Sequence, residues 1–481
     1  MLAAMPPSRA TSTQQGESPI RDRIRDRGDA CPGALRLHRA DDGALARLRV
    51  PAGLLTSRQA AVLADAAERL ADGHLSITSR GNIELRGLGA SCGTELSAVL
   101  ADAGLLPSER HERVRNIVAS PLATLDGLGH ADVQLWAREL DGLLCAEEWT
   151  TALSGRFLFA LDDGRGDVAG LGGDVTLIAE SGGAGCVSGE SGGAGCVSGE
   201  SGGAGCVRGE SGGAAAVPVT SGGTASADPG GTALVRVGDR ALRVSAAAAP
   251  RAALAAAGAF LAAARDAGNG AWRVRELPAG HPVDLAGALA RQGIDAGPAA
   301  APFGPPGAAP HLPGVIGRAV AVGAPLGRVS AAQWRSLLPA PADELRVTPW
   351  RGLVLPGFED DAAARERLRA LADAGFLADP RSPWLGVSAC TGRPGCAKSL
   401  ADVRADAVPG AGGLPVHFSG CERRCGHPRG DWVDALATGD GRYEVTVRTG
   451  GTAAPVSGAN LTGTVTRART TSATTTTTAT R

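Results

Sequence analysis

Four cysteines near the C-terminal end fall in two short runs: "SACTGRPGCAKS", with Cys390 and Cys396, and "VHFSGCERRCGHP", with Cys421 and Cys425. The spacing is C-x5-C, 24 intervening residues, then C-x3-C. Thiolates suit soft metals, and four of them in two loops can converge on one bound object. Structural zinc knuckles use C-x2-C or C-x4-C, and ferredoxins use tighter runs, so none of those patterns fits. Two loops can still offer one thiolate to each iron of a cubic iron–sulfur cluster. Small neighbours (Ala389, Gly395, Ala397, Gly420, Gly426) let backbone N–H groups approach the sulfides. Spacing alone leaves a cluster, a zinc site and free thiols open.

The second chemical signal is arginine. Of 48 basic residues Lys398 is the only lysine, so chemistry needing two lysines is excluded. A net charge of −1 gives no steering toward nucleic acid or an anionic membrane. At 481 residues, 43% hydrophobic and 3% aromatic, the chain allows two to four domains with interiors filled by aliphatic side chains and alanine. The first thirty residues lack a signal-peptide pattern, and the longest apolar run, 252–264, is too short to span a bilayer. The expectation is a cytoplasmic protein, where ten cysteines are ligands or bystanders rather than disulfides.

The elements that must position these groups show in two repeats. Residues 50–89, "VPAGLLTSRQ…HLSITSRGNIELRGLG", and 323–359, "GAPLGRVSAAQ…ELRVTPWRGLVLPGFE", each have a glycine turn and an N-cap (Thr56, Ser330). A helical apolar pattern and alternating strands follow, matching at Leu75/Leu345, Thr78/Thr348, Leu85/Leu355 and Gly87/Gly357. Two such α+β modules imply a duplicated architecture with pseudo-two-fold symmetry and a ligand cleft between the halves. The other repeat, "SGGAGCVSGE" from 181, is Gly/Ser-rich and offers no face to stack. It reads as a flexible insert, 178–231, whose Cys186, Cys196 and Cys206 are passengers. The expected division is a disordered 1–28, a half-domain 29–113, a domain 114–300 carrying the insert, a half-domain 301–365, a cysteine domain 366–452, and a Thr-rich tail 453–481 outside any core.

The cysteine runs resemble the C-x5-C…C-x3-C motif of the nitrite/sulfite reductase superfamily, which holds a 4Fe-4S cluster. "LSITSRGNIELRG" resembles that family's Thr-x-Arg strand, and "VRNIVASPLATLDG" (114–127) its Arg-Asn motif. The resemblance covers roughly 30–180 and 232–450. It implies two ferredoxin-like half-domains and two cluster-type α/β domains about a pseudo-dyad. In sirohaem-dependent members two arginines and two lysines hold an anionic substrate. Arg80 and Arg115 match the arginines, while "LSGRFLFALDDG" (153–164) puts Arg156 and Leu158 where the lysines should stand.

That departure resembles the precorrin-3B synthase family of aerobic cobalamin biosynthesis. There the resemblance implies an NADH- and O2-dependent C-20 hydroxylation and γ-lactone formation on the tetrapyrrole precorrin-3A, without sirohaem. On this reading Cys390, Cys396, Cys421 and Cys425 hold the cluster, and Arg80, Arg115 and Arg156 bind substrate carboxylates bidentately. Arg86, Arg393, Arg423 and Arg424 are further candidates. A mononuclear non-haem iron is also implied, with His427 as its candidate ligand and His417 and His111 behind it. "GLGGD" (170–174) is no dinucleotide fingerprint, so a separate reductase is expected to bring electrons from NADH. The competing readings are a sirohaem-dependent sulfite or nitrite reductase and a non-catalytic iron–sulfur electron carrier.

Overall fold

The computed structural model describes residues 32–89, 91–181, 231–299, 312–410, 413–428 and 430–470. The first repeat folds as β1 (His38–Ala40), β2 (Gly43–Leu48), β3 (Leu54–Leu55), α1 (Ser57–Leu70), β4 (His74–Ile77), β5 (Ile83–Leu88) and α2 (Cys92–Asp102). The chain continues through β6 (Ile117–Ala119), α3 (Val133–Ala146), β7 (Phe159–Asp162), β8 (Val175–Glu180), β9 (Thr232–Val237) and β10 (Arg240–Ser245). Then come α4 (Ala249–Ala267), α5 (Leu285–Arg291) and β11 (Gly297–Pro298). The second repeat is β12 (Gly314–Ile316), β13 (Ala319–Gly323), β14 (Arg328–Ser330), α6 (Ala331–Arg335), β15 (Leu345–Val347), β16 (Gly352–Pro356) and α7 (Asp361–Asp373). Last are β17 (Val387–Ala389), β18 (Val416–Ser419), β19 (Trp432–Gly439), β20 (Arg442–Thr449), β21 (Thr452–Val456) and α8 (Leu461–Thr470).

The same local chemistry starts the helix of both repeats. Thr56 Oγ1 accepts the Gln59 N–H at 3.1 Å while the Gln59 side chain accepts the Thr56 N–H at 3.0 Å. Ser330 and Gln333 repeat the reciprocal cap at 3.1 and 2.9 Å. The two β-sheets then exchange a strand. Their orders are β1-β2-β5-β4-β14 and β12-β13-β16-β15-β3, so each is completed by a strand from the other repeat. Leu63, Leu75 and Leu85 pack in one core with Trp334, Leu345 and Leu355, all fully buried. Trp334 Nε1–H donates to the Ala60 carbonyl at 2.9 Å across that joint.

The other two sheets are also related. In β11-β10-β9-β8-β7-β6 the strands β6, β7 and β8 run parallel, as do β17, β18 and β19 in β17-β18-β19-β20-β21. The remaining strands of each are antiparallel. The α+β class and the duplication expected from sequence are therefore both present. The stretch Ala246–Ala267, which contains α4, is long and apolar enough to cross a membrane. Its Ala252, Ala253, Ala256 and Phe260 are buried in the core beneath the six-stranded sheet.

The C-terminal expectation needs correction. Residues 453–470 are not a tail outside the core: β21 extends the last sheet, and α8 buries Val465 and Ala468 against it. Arg469, also buried, donates to the carbonyls of Leu414 and Leu385 at 2.7 and 2.8 Å. Thr and Arg make the segment look polar, but two small apolar residues at helical spacing suffice to dock it. The insert begins later than expected, since Ile178–Glu180 belong to β8, and Glu180 pairs with Thr232 of β9. Cys186, Cys196 and Cys206 lie outside the described residues.

Candidate functional site

The cysteine loops leave adjacent ends of two parallel strands, the position where ligands gather in α/β sheets. Ala389 at the end of β17 lies opposite Phe418 in β18. Cys390 N–H donates to the Phe418 carbonyl at 2.9 Å, and Gly420 N–H to Cys390 Sγ at 3.2 Å. Ser399 N–H donates to Cys396 O at 2.9 Å and Leu400 N–H to Gly420 O at 2.8 Å, locking the two loops together. A Cβ on Gly420 would stand 1.9 Å from Ser399 Oγ, so this approach requires glycine. From below, His417 Nε2–H donates to Cys425 O at 3.0 Å, and its Nδ1 faces Ser388 Oγ at 2.9 Å. Burial, with Arg351 adding, pushes His417 down to about 3, so the ring is a neutral brace.

The donor set fits an iron–sulfur core better than zinc. Burial raises the Cys390 and Cys425 thiols; Cys421 and Cys396 add to it for Cys390, and all three other sulfurs add to it for Cys425. A positively charged iron core relieves that repulsion. A tetrahedral zinc with bonds of about 2.3 Å holds its sulfurs about 3.8 Å apart. Among the described residues the one set of three metal-capable groups within 4.8 Å is Asp162, Asp163 and Asp167, not these cysteines. Cys390, Cys396, Cys421 and Cys425 are the thiols that would hold such a cluster, and no three of them lie as close together as one zinc ion requires.

Above the loops opens a cleft of about 1000 Å³, walled by both repeats, the six-stranded sheet domain and the cysteine loops. Cys390, Cys396 and Cys425 are on its floor. Eleven arginines and Lys398 line it, against three carboxylates, Asp41, Glu84 and Glu276. Glu84 is engaged by Arg47 at 2.8 Å and by Arg86 at 3.4 Å. The remaining field is strongly cationic in a sheltered space.

Two of the three arginines singled out in the sequence reach this cleft. Arg80 lines it, and so does Arg156, whose guanidinium lies 4.6 Å from the Trp272 ring centre. Arg115 does not. It is buried in a bidentate pair with Asp141, 2.7 Å on both arms, and lines a separate pocket. The motif assigns it to the cleft, but the carboxylate of Asp141 on α3 holds it inside the protein. Arg86 lines the cleft but is bidentate to Asp42 at 3.0 and 2.9 Å. Arg423 also lines it, whereas Arg393 and Arg424 are bound to Ser399 O and Asp434.

His427 is exposed, stacked on Trp432 at 4.9 Å, with Nδ1 2.7 Å from Pro428 O, and does not line the cleft. His111 is held by Ser108 Oγ and Glu147 O. His38 is the one histidine among the cleft's lining residues. A two-histidine-one-carboxylate iron therefore does not fit the described residues at this cleft.

Sequence reading missed Arg49, Arg351 and Arg404, all of which line the cleft. Arg49 is buried and donates to the carbonyls of Arg113 and Gly155. Burial pushes Arg351 down to about 10, and burial with Arg328 does the same to Arg404. Arg351 had a signal: in the repeat it falls on Gly81, and the two turns are the same. Gly81 and Arg351 N–H both donate to the preceding threonine carbonyl (Thr78, Thr348) at 3.1 Å, with φ of 68° and 61°. Arg404 stands in no motif.

The six-stranded sheet contains a counterpart of the cysteine site. Ser120 N–H donates to Leu161 O at 3.0 Å and Asp163 N–H to Ser120 Oγ at 3.1 Å, as Cys390 and Gly420 do in the last sheet. Ser120 thus stands where the other copy has Cys390. Its surroundings are filled by Asp167, 2.6 Å from Ser120 Oγ, and by Arg165 bonded to Asp163 and Asp126.

The nitrite/sulfite reductase ferredoxin-like half domain matches residues 37–101. The duplicated half-domains and paired sheets then decide the architecture. The fold is that of the nitrite/sulfite reductases. The structure of the Mycobacterium tuberculosis NirA protein aligns with a TM-score of 0.61 at 18% identity, covering 85% of this chain and 74% of that one. A precorrin-3B synthase from Sinorhizobium sp is 33% identical over 160 residues, 33% of this chain and 34% of that protein. Ferredoxin–nitrite reductases of Leptolyngbya laminosa and Synechococcus elongatus are each 35% identical, over 100 and 127 residues. Those matches span 20% and 25% of the reductases, so this chain aligns with about a third or less of the curated relatives' length. The chain thus has a nitrite/sulfite reductase-like fold and is similar, over a third of its length, to a precorrin-3B synthase.

Proposed function

We propose that the chain is a cytoplasmic monooxygenase of the precorrin-3B synthase type, acting on precorrin-3A. The carrying observation is the cleft: about 1000 Å³, lined by eleven arginines, with three cysteines on its floor. Precorrin-3A carries carboxylates around its rim, and guanidinium forks bind carboxylates bidentately without losing charge. Arg80 from the first half-domain and Arg156 from the six-stranded sheet domain line the cleft as candidates for such forks, and Arg156 is oriented by the Trp272 face. When bound to Cys390, Cys396, Cys421 and Cys425, a 4Fe-4S cluster supplies one-electron transfer. His417 and Gly420 fix the backbone and sulfur of that floor.

The overall reaction is balanced: one oxygen of O2 becomes the C-20 hydroxyl, the other leaves as water, and two electrons come from NADH. A separate reductase delivers them. No step is assigned to a mononuclear iron, because the described residues offer no ligand set for it at the cleft. Sirohaem-dependent anion reduction is the less favoured reading. It calls for four cations, but Arg115 is tied to Asp141, and Leu158 is buried against Val118, Ala160 and Val168.

The test is incubation of anaerobically purified protein with precorrin-3A, NADH, a reductase and 18O2, followed by mass spectrometry. A product carrying one 18O atom is expected. A sirohaem absorption spectrum with nitrite or sulfite turnover would replace this reading with that of a reductase.

A further inference from the structure

We infer that Arg351, with Arg404 beside it, forms a carboxylate subsite at the cysteine end of the cleft that anchors one acidic arm of the tetrapyrrole. The inference rests on the reading that the cleft seats a tetrapyrrole, and it assigns residues that no motif marks. Three observations carry it. First, Arg351 holds φ at 61° in a turn whose twin has glycine, Gly81, at that place. A long side chain in a left-handed backbone is found where function over-determines it. Second, room is made for it: a Cβ on Gly327 would lie 2.2 Å from Arg351 Cδ. The side chain then crosses from the second half-domain to the cysteine loop, donating to Gly426 O at 2.8 Å, one residue beyond Cys425.

Third, neither Arg351 nor Arg404 has a carboxylate within ion-pair distance among the described residues. The carboxylate acting on Arg404 is Glu84, already held by Arg47 and Arg86, and Arg328 beside Arg404 is paired to Asp72 at 2.8 Å. Arg351 and Arg404 act on each other as like charges, and the anionic group that acts most on Arg404 is the Cys390 sulfur, so neither guanidinium is matched by a carboxylate of its own. A planar carboxylate fits two guanidinium forks, and the wall they form faces the cleft rather than bulk solvent. A free oxyanion such as sulfite has the same chemistry, so the experiment separates the two sources.

The full chain is titrated anaerobically with uroporphyrin, an octacarboxylate, by fluorescence quenching, alongside Arg351→Gly and Arg404→Gln. Arg351→Gly restores the residue its twin carries, so its melting temperature should equal or exceed the parent's, while uroporphyrin binding weakens about tenfold to a hundredfold. Arg404→Gln should weaken binding by a similar factor. Unchanged affinity in both variants overturns the subsite and leaves the tetrapyrrole reading standing. Failure of the parent to bind uroporphyrin overturns that reading itself. Sulfite displacing uroporphyrin from the parent but not from Arg351→Gly assigns the subsite to a free oxyanion and overturns the carboxylate assignment.

Discussion

Two residues with the same backbone bonds do different work. Cys390 and Ser120 both follow a parallel strand and accept an N–H from the next strand's loop, at 3.2 and 3.1 Å. One carries a thiol and the other a hydroxyl spent on Asp167, so on the proposed reading only the cysteine copy offers sulfur to a cluster. Cys390→Ala and Cys425→Ala are each expected to lose most of the iron and acid-labile sulfide, read by colorimetric assay, with folding retained by circular dichroism. Arg80 and Arg115 should separate in the same way. Arg80→Ala should weaken uroporphyrin binding about tenfold with a small change in stability. Arg115→Ala leaves half-buried Asp141 unpaired, and should cost about 1–3 kcal/mol in denaturant unfolding with little change in affinity. That the two cysteine runs meet at adjacent strand ends follows from spacing that survives in sequence. Arg115 was misplaced because a motif records position and not which carboxylate lies across a helix.

At the scale of elements, the helix caps and alternating strands gave the duplication away, with Thr56/Ser330 and Leu75/Leu345 in matching places. The strand exchange was invisible, because β3 and β14 are two and three residues long and their partners lie in the other repeat. A consequence can be checked by expressing residues 32–299 alone. That fragment lacks β14, leaves the β4 edge unpaired and exposes half of a shared core. It should aggregate or give an unfolded amide spectrum, and a stable monomeric fragment would contradict the shared core. The loops after β6 and β7 carry a pH signature. Burial alone would raise the Asp126 carboxyl, but hydrogen bonds from Arg165 hold it below its ordinary value. Its contribution is present above the unfolded pKa of about 3.9 and is lost as pH falls through the lower folded value. Asp126→Asn should therefore lower the melting temperature at pH 7 and flatten its fall below about pH 4.

For the whole molecule, duplication explains the cleft better than any one element does. Two exchanged half-domains and two related sheet domains enclose a single basic cavity, and asymmetry enters where one copy keeps four cysteines and the other fills the place with ion pairs. The central claim is that Cys390, Cys396 and Cys425 on the cavity floor, together with Cys421 in the same loop as Cys425, hold one iron–sulfur cube. Iron and acid-labile sulfide analysis of anaerobically purified protein tests it most directly. The account requires about four of each per chain, with no Soret band; protein devoid of sulfide, or holding one zinc in its place, would contradict it.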